Sequence, residues 1–228
     1  MILYKFMPEE SLRLVLEKRR LKMATLDDLN DPFEQLCASA VDKKGRMTIF
    51  ARARKIASDW AVLCFSEKMD HPLMWSHYAD KHKGLCLAFE IPASHLRKVH
   101  YMRARLIGAS VPKKFGMPDS ADHKSNPLLV KYSGWKYECE QRIIVRKSEL
   151  VSGVTPDGSP AHFMEFSSNL SLRQVWVGHR SSIKRETLRN LLVASLGEDA
   201  SADILQKKAR LAFRSYRVVE QEKQAGWA

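Results

Sequence analysis

Two short apolar runs constrain this chain more than any other feature: residues 60–65 (Trp-Ala-Val-Leu-Cys-Phe) and residues 85–91 (Leu-Cys-Leu-Ala-Phe-Glu-Ile). Runs of this length without polar alternation read as strands covered on both faces. Ser66 ends the first run. Pro72 then suits the opening position of a helix over residues 73–83, and Gly84 is placed to stop it. Residues 61–91 therefore read as strand, polar turn, aromatic helix, strand. Residues 135–145 supply another strand, in which a period of two sets Glu138, Glu140 and Arg142 on one face, opposite Tyr137, Cys139, Ile143 and Val145. Charges gathered on one face of an otherwise apolar strand need water, partners or a ligand.

Around this centre the pattern predicts a strand over 3–7, a helix from the Pro8-Glu9-Glu10 start to about Arg20, and a strand over 21–24. A turn follows over 27–32, then a basic helix over 48–59. Farther on come a strand over 175–178, a helix over 184–196 and a closing strand over 209–219. Residues 108–134, rich in Pro, Lys, Ser, Asp and Asn, read as a long mobile loop, and residues 154–160 as a second turn-rich excursion. With no repeat and no clear linker, the expectation is one α+β domain over residues 1–228, a split mixed β-sheet with flanking helices.

No apolar run approaches the roughly 18 residues of a bilayer span, and the start lacks the basic and apolar regions of a signal peptide. A cytoplasmic, non-membrane protein is expected. Cys37, Cys64, Cys86 and Cys139 are scattered singly, the last three inside expected strands, so they read as reduced apolar residues rather than disulfide partners. There is no CxxC pair, and His71, His77 and His82 lack ligand spacing, so no metal site is expected. The net charge of +12, from 38 basic and 26 acidic residues, points to nucleic acid or another polyanion as partner. The other reading is a solvated basic surface.

Three segments could carry chemistry. Residues 70–80 are dense in aromatic and hydrogen-bonding groups, with Met74 and Tyr78 an i,i+4 pair. Trp75 and Tyr78 either wall a planar ligand or belong to the core. Residues 30–34 (Asn-Asp-Pro-Phe-Glu) form either an Asx turn with a helix start or a loop over a cleft. Glu138 and Glu140 are near enough to couple: like charge should raise one pKa, and Arg142 should lower whichever carboxyl it meets. GxGxxG, Walker and GxSxG signatures are all missing from the sequence.

Residues 3–6 (LYKF), 30–34 (NDPFE), 64–66, 73–79 (with MWSHYA at 74–79), 82–84 and 135–142 (with YECEQR at 137–142) together resemble an uncharacterised bacterial domain-of-unknown-function family. The order of elements is also similar to the ADP-ribosyltransferase fold. That resemblance implies an enzyme cleaving the nicotinamide–ribose bond of NAD, with Glu140 as the catalytic carboxylate and Glu138 orienting the acceptor. Lys5 or Tyr4 and Ser66 would frame NAD, Tyr78 or Trp75 would stack on nicotinamide with His77 in the same cofactor-binding cleft, and Lys5 and Arg142 would meet the pyrophosphate. The chain departs from the transferase pattern at Lys5, where that family carries Arg or His, and at residues 65–67, which lack the fuller serine-threonine-serine motif. The basic charge suggests nucleic acid or a nucleic-acid-associated protein as acceptor, in toxicity or phage defence. The alternative is a non-catalytic nucleic-acid or nucleotide-binding module, and a third reading is a metal-dependent nuclease using Asp31, Glu34, Glu138 and Glu140.

Overall fold

The computed structural model describes residues 1–34, 36–107, 126–222 and 227, a mixed α+β chain. It clusters as two compact units interleaved in sequence: Met1–Leu21, Phe65–Ser94 and Glu165–Ala228 make the first, Lys22–Cys64 and His95–Met164 the second. Three of the four crossings fall inside the strands Arg20–Met23, Trp60–Ser66 and Pro160–Glu165. Composition accordingly shows no linker, because none exists at those points.

In the first unit Ile2–Met7 pairs antiparallel with Leu85–Glu90, from Ile2↔Glu90 to Met7↔Leu85. Leu85–Glu90 pairs on its other side with Ser171–Val177, also antiparallel. Ser171–Val177 runs parallel to Leu205–Leu211, which pairs antiparallel with Val218–Glu220. With neighbours on both sides, Leu85 to Phe89 are all buried, which explains an apolar run without alternation. Helices Glu10–Lys18 and Arg185–Leu196 pack together and bury i,i+4 pairs, Leu12 with Leu16 and Leu188 with Leu192.

Three expected elements of this unit differ. The first helix ends at Lys18 because Arg19 turns left-handed, φ 48°. The aromatic helix spans only Pro72–Tyr78, since Asp80, Lys81 and His82 all take positive φ and the His82 amide donates back to the Trp75 carbonyl at 3.1 Å. Gly84 therefore does not stop the helix, which is capped at Ala79; its place is set by sterics, since a Cβ there would stand 2.3 Å from the Met7 carbonyl oxygen. The closing strand expected over 209–219 is a hairpin, because the chain reverses between Leu211 and Val218.

In the second unit Trp60–Ser66 lies beside Glu140–Arg146, whose Gln141 and Arg142 pair with Lys98 and Arg97. Helix Lys43–Asp59 begins earlier than its apolar periodicity indicates because the Asp42 carboxylate caps it, accepting from the Gly45 amide at 2.6 Å. Leu26, Ile56, Trp60, Val62 and Leu128 form its core, with a smaller cluster of Cys37, Ala38, Leu106 and Val130. Residues 108–125 of the expected loop lie outside the described residues. The remainder is not a loop: Pro127–Leu129 is a 3₁₀ turn capped by Asn126, and Val130–Tyr132 pairs in parallel with His100–Met102. Leu128, Leu129 and Val130 are buried, which holds this segment in place despite its polar neighbours.

The expected strand over 135–145 is also corrected. Ser133–Glu138 is a 3₁₀ helix, Cys139 takes left-handed φ 46°, and the strand begins only at Glu140. Cys139 is therefore not a strand residue, and Glu138 and Glu140 do not meet through strand alternation. Among the described residues no helix is long and apolar enough to cross a membrane.

Candidate ligand site

The second unit buries five charged side chains in one cluster: Glu34, Lys131, Glu138, Glu140 and Arg142. Arg142 is 0% exposed. Its Nε donates to Glu140 Oε1 at 2.7 Å, its Nη2 to Glu140 Oε2 at 3.0 Å and to Glu34 Oε2, and its Nη1 to the Leu128 carbonyl at 2.9 Å. Lys131 Nζ donates to Glu138 Oε2 at 2.6 Å and Glu140 Oε2 at 3.3 Å, and stands 3.2 Å from Glu34 Oε1. The last is an ion-pair distance without an aligned hydrogen bond, since Glu34 Oε1 has no hydrogen-bond partner. The Glu140 amide donates to the Tyr101 hydroxyl at 2.8 Å.

Such groups survive burial only by pairing. Burial alone would raise the Glu140 carboxyl, but Arg142 and Lys131 outweigh it and hold that carboxyl well below the usual glutamate range. Burial likewise works against the Lys131 ammonium, and Glu140, Glu34 and Glu138 together keep it charged, its pKa raised. The expectation that Arg142 would lower the carboxyl it meets is met at Glu140. Glu138 and Glu140 both face cations inside the cluster, where three carboxylates share two cations and Glu34 Oε1 is left without a hydrogen bond.

Beside this cluster is a cavity of about 300 Å³, lined by Phe33, Cys37, Arg103, Arg105, Val130, Lys131 and Tyr132 among others. Both readings of residues 30–34 are realised at once. Asp31 Oδ1 accepts from the Phe33 amide at 2.9 Å, an Asx turn, and that turn sets the Phe33 ring, 49% exposed, at the cavity. The guanidinium of Arg105 lies 4.7 Å over the Phe33 ring. Arg103, Arg105 and Tyr132 are exposed, whereas Val130 and Cys37 are buried. Burial pushes the Cys37 thiol up to about 11, so it is an apolar wall and not a nucleophile at neutral pH. The Lys131 ammonium faces carboxylates, which leaves the two arginines to meet an anion.

The sequence-derived site residues divide between the units. Glu138, Glu140 and Arg142 are brought together, as described. In the first unit Tyr4 pairs with Ser66 in register and Lys5 is half-buried on the same strand. The Ser66 hydroxyl donates to the Lys68 carbonyl at 2.8 Å and accepts the Lys68 amide at 3.0 Å, a local turn. Trp75 is 0% exposed, edge-on to Phe6 at 5.3 Å, with its indole N–H donating to the Met69 carbonyl. It is core and offers no face to nicotinamide. His77 is exposed and Tyr78 half-buried, their rings 6.2 Å apart.

Among the described residues no group of three or more metal-ligating side chains is assembled. Three carboxylates of the nuclease reading, Glu34, Glu138 and Glu140, are turned to Lys131 and Arg142. Sequence reasoning missed Lys131, Arg103, Arg105 and Tyr132. The first and last fell inside a segment read as loop, and their approach to Phe33 is a contact between distant parts of the chain. Comparison with family models, curated proteins and solved structures finds no match for this chain.

Proposed function

We propose that the second unit is a nucleotide-binding module that takes a mononucleotide in the cavity beside the ion cluster. The Arg105 guanidinium stacked on the exposed Phe33 ring carries this reading. An aromatic face and a cation sharing one apolar cavity suit a planar base joined to a phosphate. Phe33 and Tyr132 supply stacking surface, Val130 and Cys37 an apolar floor, and Arg103 and Arg105 the positive charge. The cluster behind contributes rigidity: Lys131 lines the cavity with its stem while its ammonium is held by three carboxylates. At about 300 Å³ the cavity sits at the small end of ligand sites, roughly 300–1,000 Å³, which favours a mononucleotide over NAD.

Calorimetric titration with AMP and NAD tests this. AMP is expected to bind at least as tightly as NAD, and Phe33→Ala to weaken it about tenfold, in keeping with roughly 1–3 kcal/mol for a base stacked on an aromatic ring. Equal AMP affinity in wild type and Phe33→Ala removes the proposal.

One observation favours ADP-ribosyl transfer as a second reading. Glu140 meets the Arg142 guanidinium at 2.7 Å and the Lys131 ammonium at 3.3 Å, contacts that favour its carboxylate form, the form that stabilises an oxocarbenium-like transition state. Both its oxygens are engaged by Arg142 and Lys131, so this chemistry requires the carboxylate to turn from Arg142 toward ribose. Nicotinamide release from NAD by the wild-type protein, with oligonucleotide or protein acceptors, is the assay; no release with any acceptor removes this reading and leaves AMP binding untouched.

A further inference from the structure

The hairpin Leu205–Leu211 and Val218–Glu220 of the first unit ends in a loop unlike the rest of the surface. Its strands close at Leu211↔Val218, and the Ala212 amide donates to the Arg217 carbonyl at 2.9 Å. The four residues beyond, Phe213-Arg214-Ser215-Tyr216, project from that closed ladder. Phe213 is 93% exposed and Tyr216 97% exposed. Two aromatic rings left this open gain little apolar burial from the protein's own folding.

They are interleaved with positive charge. Arg214 is exposed, the Arg210 guanidinium lies 4.9 Å over the Phe213 ring, and Arg217 is exposed with a long 3.6 Å approach to Asp70. Within residues 210–217 there are three arginines, two aromatics and no acidic residue. The hairpin itself is anchored: its first strand pairs in parallel with Ser171–Val177, and the Val218 amide donates to the Asp70 carbonyl at 2.8 Å. A fixed base thus presents a short cationic, aromatic tip.

We infer that this tip is a binding element for single-stranded nucleic acid, with Phe213 and Tyr216 stacking on unpaired bases and Arg210, Arg214 and Arg217 neutralising flanking phosphates. Every base has a π-face, so two open rings at a cationic tip bind a strand without reading its sequence. A duplex keeps its bases stacked on each other and offers those rings only phosphate. An anionic lipid surface fits less well, because the tip is a short loop closing a hairpin and not an amphipathic helix that lays a continuous apolar face into the acyl boundary. The inference stands apart from the nucleotide cavity, since no residue is shared.

The test is fluorescence anisotropy of the whole chain with a labelled 12-nucleotide oligo(dT) at about 50 mM and 200 mM salt. A duplex of equal length and phosphatidylglycerol vesicles serve as parallel probes. Expected results are oligo(dT) binding that weakens with salt, weaker duplex binding, and a loss of at least about tenfold in the Phe213→Ala/Tyr216→Ala double variant. The Phe213→Tyr/Tyr216→Phe variant, which keeps both rings, should bind as wild type. These side chains are open to solvent, so melting temperatures should match across all variants. Unchanged oligo(dT) binding in the alanine variant, duplex binding equal to single-strand binding, or binding only to vesicles would each overturn the inference. Phe33→Ala, by contrast, should leave oligo(dT) binding intact, so a failure here is separable from a failure of the nucleotide cavity.

Discussion

Glu140 is the residue on which the sequence-derived and structural accounts part most sharply. As a catalytic carboxylate it would tolerate conversion to Gln with little effect on stability. In the structure both its oxygens accept from Arg142, and Oε2 also from Lys131. Gln keeps one acceptor and turns an NH₂ donor toward these donors, leaving a fully buried guanidinium short of a partner. Glu140→Gln should therefore destabilise by about 3 kcal/mol, near the lower end for breaking a buried ion pair, or roughly 6–12 °C in Tm for a chain of this length. The same residue sets an acid limb. Its folded pKa is depressed, so its contribution is complete above the unfolded glutamate value of about 4.3 and is lost as pH falls toward the folded value. Urea unfolding of wild type and Glu140→Gln between about pH 3 and 6 should show a shallower fall for the variant below about pH 4.5. Parallel curves would place the acid sensitivity elsewhere.

At the scale of elements, the apolar runs and helical periodicities marked Ile2–Met7, Trp60–Ser66, Leu85–Glu90, Ser171–Val177 and the longer helices, but not the short strands His100–Met102 and Val130–Tyr132 or the hairpin Val151–Val154 with Pro160–Glu165. The errors share one physical origin. The 3₁₀ helix Ser133–Glu138 forms where Glu138 meets Lys131, and Arg142 meets Glu34 across 108 positions. Neither pairing leaves a local periodicity. The segment 126–134 looked like a loop by composition yet is buried by its leucines and Val130. Phe213 and Tyr216 did carry a signal, aromatics spaced by arginine and serine, but reading 209–219 as one strand concealed the reversal. Gly84, read as a helix stop, is instead held to glycine by backbone that approaches it from elsewhere in the fold. An added Cβ meets backbone on two sides, the Met7 carbonyl at 2.3 Å and Ala79 at 2.9 Å, and backbone cannot yield as a flexible side chain does. Gly84→Ala should destabilise by at least about 1–3 kcal/mol, the usual cost of overpacking, seen as a lower urea midpoint with unchanged m-value. A midpoint equal to wild type would show that the Ile2–Met7 strand gives way freely.

For the molecule as a whole, a charge of +12 was legible from composition, while its placement was not. The structure gathers arginine beside open aromatic rings in each unit: exposed Arg103 and Arg105 with Phe33 and Tyr132, and half-buried Arg210 with exposed Arg214 and Arg217 beside Phe213 and Tyr216. Lys131 and Arg142 of the buried cluster are taken up by its three carboxylates, whereas the arginines beside the open rings keep charge available to a ligand. The nucleotide proposal concerns the first of these two sites. Its most direct test is a crystal structure of the protein with AMP at saturating concentration. The account predicts density for the base within about 4 Å of the Phe33 or Tyr132 ring, the van der Waals range of stacked atoms, with the phosphate against Arg103 or Arg105. A cavity that stays empty under those conditions, or AMP bound elsewhere on the chain, would contradict it.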